Sequence, residues 1–280
     1  MRKERSVVFR SILVALCQET RRPSSPAVQQ AIWLARREQA RLVGLYVVDE
    51  AELVPPPLSE GVNLDRWREE VESELKVAGQ KLLDDFAARC ARADVPAETR
   101  LKVGSVAQVV CRQARTADLL VMERSGDYAH RMRLLECAPL EGVVRRAGRP
   151  VLVATAGPGR VERILVAYDG GERASTALAL AVRIAVEWEV PLTLLTVVER
   201  GVDGDVLAEG REYCRPYGIP VEPLLREGTP ADEILRASRE RGAGLVVMGA
   251  YCHNRVQELI LGGTVGQVLQ RADCPVLICR

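Results

Sequence analysis

The chain of 280 residues is long enough for two domains of ordinary size. Its 39 basic and 38 acidic residues leave a net charge of +1, which argues against a dedicated nucleic-acid binder. Eight cysteines without a CxxC pair, and only His130 and His253 beside them, argue against a zinc site.

The first residues, "MRKERSVVFRSILVAL", are basic and then apolar. Arg10 and Ser11 interrupt any signal-like run and no small-residue cleavage site follows, so "SILVALC" reads as a first strand. No apolar run approaches the roughly 20 residues of a membrane span. The expected setting is cytoplasmic, with reduced thiols and no membrane partner.

A helical stretch follows, "SPAVQQAIWLARREQA", and then an apolar strand, "RLVGLYVVDE". The stiff "VPPPL" loop leads to a long helical region from about Leu64 to Ala93. The segment "ETRLKVGSVAQVVCRQARTADLLVMERSG" reads as strand, helix and strand, and "RPVLVATA" as a last strand after proline. The Gly/Pro turn "TAGPGRVER" marks a joint.

Beyond that joint the order repeats. "ERILVAYDGG" answers "RSILVALCQE", matching Ile164 to Ile12 and Asp169 to Cys17. "ASTALALAVRIAVEWE" is the matching helix and "PLTLLTVVER" the next strand. "GDVLAEGREYCRPYG" leaves room for a shorter second helix than in the first half. "VEPLLREGTPADEILRASRERGAGLVVMGAY" and "CPVLICR" complete the repeat. Near-continuous Val/Ile/Leu strands alternating with helices indicate α/β architecture, two doubly wound parallel sheets covered by helices on both faces. The expected domains are 1–157 and 158–280.

The repeat, the "ILVAYDGG" strand and the "LGGTVGQVLQRADCPVLI" ending resemble a tandem universal stress protein, and the likeness covers essentially the whole chain. The resemblance implies a five-stranded sheet of order 3-2-1-4-5 in each half. It also implies pairing of the two last strands, "PVLVATA" against "PVLICR", as an internal pseudo-dimer, with homodimerisation beyond it a weaker expectation.

The resemblance further implies a nucleotide site built on the pattern Gly, two residues, Gly, nine residues, Gly, then Ser or Thr. Here the pattern reads Gly249, Cys252, Gly262 and Gly263, with Thr264 next. Cysteine replaces the middle glycine, at a cost of roughly 1–2 kcal/mol if φ there is positive. Carried over residue by residue, Ala167, Asp169 and Val197 stand on the adenine side. Gly249, Gly262, Gly263, Thr264 and Val265 stand on the phosphate side. The chemistry agrees: an Asp accepts from ribose or base, and a helix start offers free N–H groups and a favourable dipole to phosphate. The bland alternative is that the glycines only make turns and allow tight packing.

The first half departs further. Cys17 replaces the acidic residue, and the loop begins at Glu123, keeps Gly126, and carries Glu136, Cys137 and Ala138 where phosphate glycines belong. Arg124, His130, Arg131 and Arg133 read first as a solvated polar loop, and His253 as an exposed loop residue. Trp33, Trp67 and Trp188 read as packing residues, and Cys274 as buried before the final strand.

Two functions follow. One is a stress-response or signalling module that binds an adenine nucleotide in its second domain and presents a nucleotide-dependent surface to a protein partner. ATP, with Mg²⁺ on its phosphates, is favoured over AMP. The other is a scaffold that keeps the sheet and has lost the ligand, for which Cys252 and the altered first loop speak. No GxxxxGK[ST] loop and no Ser-His-Asp or Cys-His spacing occurs, so at most slow ATP hydrolysis is expected.

Overall fold

The computed structural model describes residues 7–17, 25–55, 63–124, 139–155, 160–198, 205–250 and 263–280. The chain folds as two units, one formed by Phe9–Gly148 and the other chiefly by Arg149–Arg280.

The first unit runs β1 (Ser11–Leu16), α1 (Pro26–Glu38), β2 (Arg41–Asp49), α2 (Leu64–Arg92), β3 (Ala97–Gly104), α3 (Val106–Ala114), β4 (Leu119–Glu123) and α4 (Pro139–Arg146). Its strands lie in the order β3-β2-β1-β4, all parallel. β1 and β4 are almost wholly buried, which explains why their sequences read as unbroken apolar runs. Helix α1 starts where Pro26 fixes φ and Ser25 accepts a hydrogen bond from the Val28 amide, and it ends in the left-handed residue Gln39. α2 begins at an Asn63 cap. It lies against the sheet because the Phe86 ring fills the space above Gly44, while Gly79 on the helix makes room for Tyr46.

The second unit runs β5 (Val151–Ala154), β6 (Ile164–Ala167), α5 (Glu172–Trp188), β7 (Leu192–Val198), α6 (Asp205–Cys214), β8 (Val221–Glu227), α7 (Pro230–Glu240), β9 (Leu245–Gly249), α8 (Thr264–Arg271) and β10 (Val276–Cys279). The parallel strands follow the order β8-β7-β6-β9-β10, the doubly wound arrangement expected from the pattern. β5 then pairs antiparallel with β10, with Val151 opposite Ile278 and Val153 opposite Val276. The sequence repeat breaks near Gly157 and the packing breaks near Arg149, because β5 is the last strand of the first repeat in sequence but pairs in the second unit. The pairing gives the apolar edge of β10 a partner.

As the shorter sequence predicted, α6 has 10 residues where α2 has 29. Gly210 on α6 admits the Tyr168 ring and the Leu194 side chain. Trp33, Trp67 and Trp188 sit on α1, α2 and α5, and Cys274 is buried against the Ser238 hydroxyl. Among the described residues no helix is long and apolar enough to cross a membrane.

Candidate functional site

In the second unit the strand order reverses between β6 and β9, which are paired with Ala167 opposite Met248. A doubly wound sheet opens a crevice at the carboxyl ends of such strands. The chain leaves β6 through Tyr168, Asp169, Gly170 and Gly171. The Asp169 carboxylate accepts a hydrogen bond from the Gly171 amide at 2.9 Å, closing a turn two residues long. Gly170 takes φ +78°, which a side chain would strain, and Gly171 caps α5. The position before the turn is fixed too: the Tyr168 amide donates to the Leu195 carbonyl, and Thr196 donates its hydroxyl to the Tyr168 carbonyl at 3.0 Å. Asp169 is therefore aimed by a turn, a helix cap and a neighbouring strand together.

A cavity of about 290 Å³ lies beside this turn. Ala167, Tyr168 and Asp169 form one wall, and Leu195 and Val197 of β7 continue it. Pro230 and Ile234 come from α7, Ala174 from α5, and Met248 and Gly249 from the end of β9. Gly263, Thr264 and Val265 close the far side at the start of α8. Seven sequence-derived site residues thus meet at one cavity: Ala167, Asp169, Val197, Gly249, Gly263, Thr264 and Val265. Cys252 and Gly262 lie outside the described residues, as does His253. Sequence reasoning missed Tyr168, Ala174, Leu195, Pro230, Ile234 and Met248. Pro230 and Ile234 carried a signal, since residues four apart share a helix face.

The two glycines at the cavity differ in kind. At Gly249 an added Cβ would stand 2.8 Å from the Arg173 carbonyl carbon and 2.9 Å from the Ala174 nitrogen. This glycine is required by the close approach of α5, so its packing role stands whether or not a ligand binds. At Gly263, φ is −67° and an added Cβ would meet nothing within 4 Å. That position would accept a serine, so the departure from the usual hydroxyl there is not forced by the backbone. Gly263 caps α8 without a side chain, and the helix has no acidic residue in its first turn. Its leading N–H groups and positive dipole end are free of a carboxylate on the helix itself.

In the first unit the matching register carries different residues. Pairing sets Ile12 opposite Leu119 and Ile164 opposite Leu245, so Glu123 stands at the register of Gly249 and Cys17 at that of Asp169. Glu123 accepts a hydrogen bond from Ser25 at 2.7 Å. Arg124 is exposed; Gly126, His130, Arg131, Arg133, Glu136, Cys137 and Ala138 lie outside the described residues.

The Universal stress protein family profile matches residues 9–155, 160–212 and 201–280. The chain belongs to the universal stress protein family.

Among curated members, the Synechocystis universal stress protein Slr1230 is 26% identical over 166 residues, which span 58% of each chain. The Bacillus subtilis universal stress protein YxiE is 29% identical over 145 residues, spanning 42% of this chain and 98% of that one. The match thus covers little more than half of the Synechocystis protein and nearly all of the Bacillus one. A universal stress protein from Archaeoglobus fulgidus superposes with a TM-score of 0.75, covering 98% of this chain and 96% of the other at 20% identity. That identity speaks for the fold of this universal stress protein and not for its ligand.

Proposed function

We propose that the second unit binds one adenine nucleotide, ATP, in the crevice between β6 and β9, and that the chain works as a nucleotide-dependent stress-response or signalling module. The observation that supports this is the convergence of Asp169 and the start of α8 on a single cavity. One end offers an acceptor for adenosine; the other offers backbone donors for phosphate. Leu195, Val197, Ile234 and Met248 give the apolar wall that a base needs. The volume of about 290 Å³ is near the lower end of the roughly 300–1,000 Å³ typical of ligand sites. Mg²⁺ would arrive on the phosphates. In this reading the described residues bind and orient the nucleotide.

The first unit stays empty of nucleotide in this reading, because Glu123 sets a carboxylate at the register of Gly249 and Cys17 lacks the acceptor of Asp169. A protein partner would read the surface around the filled crevice.

The scaffold reading draws on one observation, that Gly249 is needed for packing alone. Mass spectrometry of small molecules released from freshly purified, denatured protein separates the two. Co-purified ATP supports the binding reading. Absence of any nucleotide, together with no heat of binding at millimolar Mg-ATP, supports the scaffold.

A further inference from the structure

We propose that Arg173 is a positioning residue that ties the adenosine side of the crevice to its phosphate side, an inference that rests on the nucleotide reading above. Arg173 lies in the first turn of α5, two residues after the Gly171 cap. It donates from Nη1 to the carbonyl oxygen of Ala250 at 2.7 Å. Ala250 is buried, and its own amide donates to the Cys279 carbonyl at 2.6 Å. Both polar groups of Ala250, the residue on which the chain leaves β9, are therefore held. One step earlier, Gly249 rests directly on the Arg173 and Ala174 backbone.

A cation in the first turn of a helix opposes the macrodipole, so helix stability does not account for an arginine here. Its guanidinium instead holds the Ala250 carbonyl at the end of β9. The Asp169 turn runs straight into α5 through Gly171, so any shift of that turn is passed by Arg173 to Ala250. One side chain sets the spacing between the residue aimed at adenosine and the strand end that leads toward the phosphates.

In the first unit the end of β4 is held by the Ser25–Glu123 contact.

The test compares the native chain with Arg173→Met and Arg173→Lys. Calorimetry is run with Mg-ATP and with adenosine, each at low and high salt. Losing a hydrogen bond from a charged donor predicts that Arg173→Met weakens Mg-ATP about tenfold, with the fold-loss unchanged by salt. Adenosine, which does not span the crevice, should keep its affinity within a factor of about two, inside the spread of a marginal hydrogen bond. Arg173→Lys should recover most of the loss. Native affinity for Mg-ATP in Arg173→Met, no recovery in Arg173→Lys, or a loss that disappears at high salt would overturn the proposal. The last result would mark a direct charge on phosphate instead.

A second measurement needs no nucleotide. Amide exchange at Ala250 should speed up at least about tenfold in Arg173→Met while Val246 is unchanged, since local opening is set by local contacts. Unaltered exchange at Ala250 overturns the positioning role even if nucleotide binds. Faster exchange at Ala250 in a chain that binds no nucleotide keeps the strut and removes the ligand reading.

Discussion

The hydroxyl of Ser25 donates to the carboxylate of Glu123 at 2.7 Å, and Ser25 is fully buried. The same Ser25 oxygen accepts from the Val28 amide and so caps α1. One small side chain links the start of α1 to the end of β4. In the second unit that junction is made by the backbone contact of Gly249 with α5. The two repeats solve the same packing problem differently, and only the second leaves the register of Gly249 free of a carboxylate.

Ser25→Ala removes the cap and the partner of Glu123 together. It should cost about 1–3 kcal/mol, read as a lowered urea midpoint. Glu123→Gly should not create a second nucleotide site, because Cys17 still lacks the acceptor. An unchanged midpoint in the first variant, or a second binding site in the other, contradicts this account.

The two glycines of the crevice should respond in opposite ways. Gly249→Ala drives a methyl into the α5 backbone and should cost about 1–3 kcal/mol, read from thermal or urea unfolding. Gly263→Ser places its Cβ in open space and adds a capping oxygen, so stability should hold or rise by a few tenths of a kcal/mol. Nucleotide affinity in Gly263→Ser should be retained or improved. A large loss of stability in Gly263→Ser, or none in Gly249→Ala, would reverse the distinction.

The fold was legible because parallel strands buried on both faces leave unbroken apolar runs, and because Ile12 and Ile164 open matching ones. That Asp169, Gly263 and Thr264 meet at one cavity was legible from the repeat and the resemblance to a family pattern. Tyr168, Leu195 and Ile234 were not, since which side chains of β7 and α7 turn toward the crevice depends on how the crossovers pack. The packing role of Gly249 was legible as the bland alternative for the glycines, but not that the group packed against it would be the start of α5. The grouping of β5 with β10 was hidden from the domain boundary yet visible in the twin "RPVLVATA" and "CPVLICR" endings.

The buried cysteines should be poor nucleophiles. Burial pushes the Cys90 and Cys214 thiols up from 9.0 to about 11, and Cys279 to about 12. All three are neutral at pH 7, so a thiol reagent should modify them only on unfolding. Their folded values lie above the unfolded one, so the stability they contribute is fully present below pH 9.0. It is lost as pH rises from there toward 11–12, because the unfolded chain ionises first. The urea midpoint should therefore fall above pH 9.0. Fast labelling of all three in the folded chain at pH 7 would contradict the burial argument.

Asp169→Ala removes the oxygen that accepts from Gly171 and the acceptor proposed for adenosine. Losing one such bond typically costs about 0.5–1.5 kcal/mol, so affinity for Mg-ATP should drop several-fold without vanishing. Asp169→Asn keeps an oxygen for the turn and should lose less. Equal affinity in all three chains would remove Asp169 from the site.

The stoichiometry of Mg-ATP binding to the intact chain, measured by titration calorimetry, tests the central claim most directly. One site per chain, weakened by Asp169→Ala and untouched by Glu123→Gly, is the predicted result. Two equivalent sites per chain, or no binding at millimolar nucleotide, would contradict it.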